Sequence, residues 1–238
     1  MYAAESGTER NLILHTAPCF FPADLVISIL DRTVSLISEV NDMPRSTDHG
    51  EQTKRKIASR AKVLFEQKGY AATTMEEIRH VSETSKGSIY YHFKSKEALF
   101  LYILELSIQE WLDKWRELEA PLATATEKLY RLAEHYADDF QNPLLKAAEE
   151  FSGSEGGDPE IKAKLIEITR MHYPVFQQLL EEGIRSGEFK PAPLEDLTFI
   201  LFGLLGGISV AYYEYEPERL CALYRTAVDV LLKGIENR

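Results

Sequence analysis

A helical repeat of apolar residues runs almost without interruption from Glu51 to the end of the chain. In its first stretch, Ile57, Ala61, Leu64 and Phe65 recur at helical spacing, which places them on one face of an α-helix. The sequence lacks the strict alternation of apolar and polar residues that is typical of a half-buried β-strand. The chain is therefore predicted to be all-α.

Proline, glycine and capping residues divide this repeat into separate helices. Gly69 closes the first helix, Thr73 or Thr74 caps a second, and Ser85 begins a third short helix that runs to Tyr91. The remaining predicted helices cover 94–119, 121–140, 143–151, 160–186, 194–214 and 217–236, with a glycine-rich loop at 152–159.

These helices fall into a small bundle at 51–97 and a larger bundle at 98–238, preceded by an extension at 1–50 that prolines interrupt. The formal net charge is −11, yet residues 45–97 hold 11 Lys and Arg against 7 Asp and Glu. A basic module in an acidic chain is expected where a protein contacts phosphate. A solvated surface with a chance excess of charge explains the same numbers, so charge alone leaves both interpretations open.

Two short helices joined by a tight turn inside this basic unit form a helix-turn-helix. In such a motif the second helix enters the major groove, and its first residues reach the base edges. Short polar side chains and a glycine stand at that point, followed by aromatic and basic residues that can donate to phosphates. The predicted DNA-binding residues are Thr73, Thr74, Thr84, Ser85, Lys86, Gly87, Ser88, Tyr90, Tyr91, His92, Lys94 and Lys96.

The segment from Lys56 to Leu99 resembles the N-terminal domain of TetR-family transcriptional regulators. The resemblance implies a homodimeric regulator, most often a repressor, that binds double-stranded operator DNA. It also implies release of the DNA when a small-molecule effector enters the C-terminal domain. The matching elements, in order, are Phe65…Gly69-Tyr70, Thr73-Thr74-Met75…Ile78, Ser85-Lys86-Gly87-Ser88-Ile89-Tyr90 and His92-Phe93…Lys96-Glu97…Leu99.

The turn between the two short helices departs from the family pattern. Ser82-Glu83 stands where Ala-Gly is common, and Arg79 stands where a small residue is usual. A positive φ at Glu83 would cost about 1 kcal/mol or more relative to glycine. Because Arg79 and Glu83 are four residues apart, a pair between them is expected to offset part of that cost.

Large aromatic residues are abundant after residue 98, and most of them are expected in the core. So many side chains with polar tips also suit an apolar pocket, which the resemblance places between the helices of 98–189. An acidic lining would favour a cation, although acidic residues spread over the surface explain the charge equally well. The candidate effector-binding residues are Trp111, Trp115, Tyr136, Phe140, His172, Tyr173 and Phe176.

No set of residues in the sequence has the spacing of a catalytic or metal-binding motif. His135 and His172 could meet in the larger bundle, but they are better explained as satisfied core or surface histidines. The neighbours in Asp138-Asp139 and Glu149-Glu150 diverge on a helix, which makes them poor acid–base pairs. We therefore predict no enzyme activity, cofactor or metal; the alternative is a helical small-molecule-binding protein or enzyme with a vestigial helix-turn-helix.

An uncharged run from Leu197 to Tyr213 is close to the shortest length that spans a membrane, and acidic residues flank both ends. We predict a helix at a subunit interface and no membrane association. Gly203 and Gly207 share one helix face and allow close helix approach. The predicted dimer-interface residues are Ile200, Gly203, Leu204, Gly207, Val210, Leu223, Ala227, Val230 and Leu231.

Residues 1–42 are predicted not to belong to the functional protein, with Met43 as the natural start. The resemblance implies a DNA-binding domain close to the N-terminus, and the preceding segment contains an isolated apolar stripe. The alternative is a genuine N-terminal helix that packs on the DNA-binding unit or across the dimer. Cys19 and Cys221 cannot build a disulfide framework, which favours a reducing cytoplasm.

Overall fold

The computed structural model describes residues 48–139, 142–155 and 158–235, and the regular elements in these ranges are all helical. The predicted all-α fold is confirmed. The expectations for residues 1–42, including the start at Met43, lie outside the described residues. The helices are α1 (Asp48–Ala72), α2 (Met75–Ser82), α3 (Lys86–His92), α4 (Lys96–Glu119), α5 (Ala125–Asp139), α6 (Leu144–Glu155), α7 (Pro159–Arg170), α8 (Tyr173–Ser186), α9 (Leu194–Gly207), a 3₁₀ helix (Ile208–Tyr213) and α10 (Pro217–Ile235).

Capping residues set the starts of α2, α3 and α4. Gly69, with a φ of 81°, interrupts the helical backbone of α1 where the sequence predicts its end. Thr74, Ser85 and Ser95 each accept a hydrogen bond from a backbone N–H in the first turn of the helix that follows. These caps agree with the helix starts predicted from the sequence.

The single helix predicted over 160–186 is wrong, because the chain forms α7 and α8 with a break between them. Pro174 has no N–H to donate to the carbonyl of residue 170, so it interrupts the α-helical hydrogen-bond ladder. The N–H groups of Met171 and His172 donate instead to Ile168 and Thr169, three residues back.

Three other helix boundaries differ from those predicted. α5 begins at Ala125 rather than at residue 121, because Thr124 and Glu127 form a reciprocal capping box. α6 continues through part of the predicted loop to Glu155. The helix predicted to reach residue 214 ends at Gly207 and continues as the 3₁₀ helix, where neighbouring glycines weaken α-helical propensity.

The described helices pack around two apolar cores. One core joins α1, α2 and α3 to the first turns of α4 and to α6, which contributes the buried side chains of Leu144 and Phe151. The other core joins the second half of α4 to α5, α8, α9 and α10, around Trp115, Phe176 and Tyr224. Because α4 enters both cores and α6 packs on α1, the two bundles share helices.

Candidate DNA-binding surface and effector pocket

A capping box fixes the start of α2. The Thr74 side chain accepts a hydrogen bond from the Glu77 N–H at 3.2 Å, and the Thr74 N–H donates to the Glu77 carboxylate at 3.0 Å. Hydrogen bonds from Lys68 and Thr74 lower the pKa of Glu77 to about 2, so this carboxylate stays ionised. Ile78 and Ser82, on the opposite face of α2, are buried against the small bundle.

The turn between α2 and α3 contains a left-handed residue that is not glycine. Glu83 has a φ of 54°, as the departure from the family pattern suggested, and this conformation costs about 1 kcal/mol or more. The expected Arg79–Glu83 pair is absent. Arg79 pairs instead with Glu76, three residues back, while the Glu83 carboxylate lies 3.8 Å from the Lys56 ammonium.

α3 has one buried face and one exposed face, as a recognition helix requires. Ile89 is buried, as is Phe93 just after the helix, so the other face projects from the bundle. Tyr91 is 80% exposed. The predicted residues on or beside this projecting face that are exposed or half-buried are Thr74, Thr84, Ser85, Lys86, Gly87, Ser88, Tyr90, Tyr91, His92 and Lys94.

Two residues predicted to contact DNA are used inside the protein instead. Thr73 is buried, and its hydroxyl donates to the carbonyl of Gly69 at 2.8 Å, so it is unavailable to a phosphate. The Lys96 ammonium donates to the carbonyls of Tyr70 at 3.0 Å and Thr73 at 3.2 Å. Both predictions are corrected because these side chains satisfy the backbone of the preceding turn.

A pocket of about 1050 Å³, including the space at its mouth, opens between α4, α5, α6, α7 and α9. Its wall is mostly apolar, with a few acidic and polar side chains. The lining residues are Leu104, Ser107, Ile108, Trp111, Tyr136, Asp139, Asn142, Leu144, Leu145, Ala148, Glu149, Ser152, Leu165, Ile168, Thr169, His172, Phe202 and Gly206.

Three of the predicted effector-binding residues line this pocket together. The Trp111 ring packs 4.7 Å from the His172 ring and 5.3 Å from the Tyr136 ring, measured between centroids. Burial lowers the pKa of His172 to about 4, so the imidazole is neutral at pH 7. Its Nδ1 lies 3.1 Å from the Thr169 carbonyl oxygen, which orients the ring.

Three other predicted effector-binding residues do not line the pocket. Trp115 and Phe176 are buried in the larger core. Tyr173 packs on the lining residue Phe202 but does not itself line the pocket. Phe140 lies outside the described residues. Trp111 and Trp115 lie one turn apart on the same face of α4, and only Trp111 reaches the pocket. Helical spacing alone does not show which of the two lines it.

Two carboxylates of the pocket were missed as effector-binding candidates. Burial raises the pKa of Asp139, although a hydrogen bond from Asn142 opposes the shift. Glu149 accepts a hydrogen bond from the Tyr213 hydroxyl of the 3₁₀ helix at the pocket wall. Their proximity to the aromatic cluster depends on α5 meeting α6, and the spacing along the chain does not indicate it.

A largely apolar surface follows α9 and the 3₁₀ helix. Ile200 is 53% exposed, and open space surrounds Gly203 and Gly207. The segment Leu194–Tyr213 is long and apolar enough to cross a membrane by length and composition, and only 28% of its most apolar window is buried. Within 48–139, 142–155 and 158–235, this segment therefore presents apolar surface that the other helices leave uncovered.

The facing stripe of α10 is only partly exposed. Val230 is 62% exposed and Leu223 is half-buried, as expected of an interface. Ala227 is buried within the chain and Leu231 packs against its core, so these two predicted interface residues contribute mainly to folding of the subunit. Both residues neighbour core residues on α10, namely Val228 and Leu232. Helical spacing alone does not separate the core face of this helix from an interface face beside it. Leu204 and Val210 are half-buried.

Known proteins share both halves of this architecture. Residues 56–103 match the sequence model of bacterial regulatory proteins of the tetR family, and residues 107–237 match the C-terminal region of QacR-like proteins. The HTH-type transcriptional regulator QacR of Staphylococcus aureus is 31% identical over 185 residues, which cover 77% of this chain and 98% of QacR.

Solved structures show the same fold. A TetR-family regulator from Pectobacterium atrosepticum superposes with a TM-score of 0.67 at 21% identity, covering 82% of this chain and 99% of that one. A protein from Saccharomonospora viridis in complex with choline gives a TM-score of 0.62 at 22% identity, covering 79% of this chain and 100% of that one. With a helix-turn-helix, a helical C-terminal bundle and sequence matches over both, the chain belongs to the TetR family of DNA-binding transcriptional regulators.

Proposed function

We propose that this regulator is a homodimeric repressor whose α3 reads an operator and whose pocket binds an aromatic or quaternary cation that releases the DNA. The observation that carries the effector class is the joint presence of aromatic rings and two carboxylates in one pocket. Since transcription takes place on the bacterial chromosome, we place the protein in the cytoplasm.

The exposed face of α3 supports two kinds of contact with DNA. Lys86 and Lys94 carry exposed ammonium groups that suit phosphate oxygens, which position the protein without reading sequence. Ser88 lies in the first turn of α3, where side chains reach base edges. Lys86 shares this turn, so it suits either a guanine edge or a phosphate.

Lys94→Ala is expected to weaken binding to all DNA sequences alike, whereas Ser88→Ala changes which operator is preferred. Each lost phosphate contact reduces the slope of log K against log salt by about 0.9, hence by about 1.8 in a dimer. Fluorescence anisotropy over a salt series measures both effects. The control is Lys114→Ala, an exposed lysine on α4 whose replacement leaves the slope unchanged. An unchanged slope for Lys94→Ala would remove this residue from the DNA interface.

The chemistry of the pocket favours a cationic effector. Aromatic faces attract a desolvated cation through the ring quadrupole, and the Trp111 and Phe202 rings both line the pocket. Asp139 and Glu149 add negative charge without a lysine or arginine among the lining residues. The Saccharomonospora viridis protein of the same fold binds choline, which is a quaternary ammonium ion, and this supports the class of ligand.

Tetraphenylphosphonium is a suitable probe, since it is an aromatic cation. Quenching of Trp111 fluorescence measures its binding to the wild type and to Asp139→Asn, and isothermal titration calorimetry measures it for Trp111→Ala, which lacks that reporter. Trp111→Ala and Asp139→Asn should each weaken its binding by about tenfold, an effect of about 1.4 kcal/mol. Because burial raises the pKa of Asp139, wild-type affinity should fall as pH decreases through that raised value, and Asp139→Asn should abolish this dependence. Glu117→Gln, on the exposed side of α4, is the control. Equal affinity for a neutral isostere would contradict a cationic effector.

A second copy of the chain is the proposed occupant of the apolar surface on α9 and α10. Helix-turn-helix regulators bind operators with two half-sites, and each half-site takes one recognition helix. A twofold-symmetric dimer supplies the two helices. Small residues at Gly203 and Gly207 leave room for close approach of a partner helix.

A further inference from the structure

The turn that joins α1 to α2 is held from two sides by opposite charges. On one side, the Lys96 ammonium donates to the carbonyls of Tyr70 and Thr73 and lies 4.1 Å from the centre of the Tyr70 ring. Lys96 is the first residue of α4. The positive charge therefore fixes the carbonyl side of the turn to the start of that helix.

On the other side, the Glu150 carboxylate of α6 lies against the turn. It accepts a hydrogen bond from the Ala71 N–H at 3.3 Å. A Cβ atom at Gly69 would lie only 2.4 Å from Glu150 Oε2, so the glycine is what allows this approach. Next to this contact, the Tyr70 and Phe151 rings pack edge to face with centroids 4.7 Å apart. We call Lys96 and Glu150, with the turn 69–73 between them, the charge clamp.

Both helices of the charge clamp also line the effector pocket. α4 contributes Leu104, Ile108 and Trp111 to the pocket wall, and α6 contributes Ala148 and Glu149. Glu149 and Glu150 are consecutive, so their side chains leave α6 in different directions, one towards the pocket and one towards the turn. A shift of α6 that admits a ligand beside Glu149 therefore moves Glu150 relative to Gly69.

We propose that Glu150 is the positioning residue that couples the pocket to the recognition helix: the occupied pocket withdraws its carboxylate from the turn 69–73 and frees the helix-turn-helix from its DNA-competent position. This inference rests on the proposed function, since it assigns a route to effector-driven release. Such coupling requires the ligand to favour one of two arrangements, and the clamp is intact in the arrangement described here.

The test measures DNA affinity without ligand and at saturating tetraphenylphosphonium, using a duplex that the wild-type protein selects from random sequence. Tryptophan quenching measures probe binding separately, and circular dichroism with sedimentation checks folding and assembly. The variants are Glu150→Ala, which removes the acceptor, and Glu150→Gln, whose amide oxygen can still accept from Ala71. Glu181→Ala, an exposed glutamate of α8, is the matched control.

In the wild type, the probe is expected to weaken DNA binding by about 5- to 150-fold. Glu150→Ala should bind the probe as the wild type does, but its DNA affinity without probe should already fall towards the ligand-bound value. Its ratio of affinities with and without probe should approach one. Glu150→Gln should restore most of both quantities, which general destabilisation by the alanine variant would not explain.

Wild-type DNA affinity for Glu150→Ala in the absence of probe would overturn the proposal, as would an undiminished response to the probe. If the wild type fails to bind or respond to the probe, the effector class is wrong, and the probe-free comparison of the two Glu150 variants still decides the clamp. Should Glu150→Ala fold poorly, Gly69→Ala and Gly187→Ala provide the comparison. Both glycines have a positive φ, but only Gly69 touches Glu150, so only Gly69→Ala should lose the response.

Discussion

Gly183→Ala should destabilise the folded protein by about 3 kcal/mol, near the upper end of the usual cost of overpacking a core. A Cβ atom at this position on α8 would lie 2.1 Å from Cδ2 of Phe189. Phe189 is 1% exposed, so its ring cannot move away without losing core contacts. Its backbone N–H donates to the Gly183 carbonyl at 2.9 Å, which holds the residue next to α8. Thermal unfolding followed by circular dichroism should show a midpoint lower by about 6–12 °C.

Gly153→Ala is the matched control for this prediction. Gly153 is also a helical glycine, but it is exposed and open space surrounds it, so alanine should stabilise α6 by up to about 1 kcal/mol. Combining Gly183→Ala with Phe189→Leu should cost less than the sum of the two single changes, because the smaller side chain relieves the overlap. Equal midpoints for Gly183→Ala and the wild type would show that the α8–Phe189 contact is not rigid.

Local signals in the sequence predict the small bundle closely. Gly69, Thr74, Ser85 and Ser95 act within one turn of their own positions, so their effect is readable from neighbouring residues. The break between α7 and α8 was missed even though Pro174 marks it. A proline in the first turn of one helix has the same sequence pattern as a kink within a longer helix, and the packing of α8 decides between them.

The functional residues also divide into those that local sequence signals predict and those that depend on tertiary packing. The order of polar residues at the start of α3 follows from the motif, because that helix must project from the bundle. Thr73 and Lys96 were assigned to DNA because of their polarity, but the backbone of the turn 69–73 uses both side chains. The pocket carboxylates Asp139 and Glu149 meet the aromatic cluster only through packing of distant helices, a relationship that depends on the tertiary fold.

Val230→Asp should convert the dimer into monomers. Val230 is 62% exposed on α10, a helix that packs against α9, and twofold symmetry would place two copies in one interface. Burying an unpaired carboxylate costs several kcal/mol, and a symmetric pair adds like-charge repulsion. We expect monomers at micromolar concentration in sedimentation velocity, with operator affinity lower by about 100-fold or more because the second half-site contributes no avidity.

Val63→Asp is the control, since Val63 is 47% exposed on α1, away from this surface, and should leave sedimentation unchanged. Gly207→Leu provides an independent test from α9. A Cβ atom added at Gly207 has no described atom within 4 Å apart from its chain neighbours and the backbone of its own helix, so the leucine variant should fold normally while separating the subunits. If Val230→Asp and Gly207→Leu both remain dimers, the interface lies elsewhere on the chain. Wild-type protein that stays monomeric and partitions into lipid vesicles would instead identify the apolar surface of α9 as a membrane contact, because dimerisation and insertion compete for the same exposed residues.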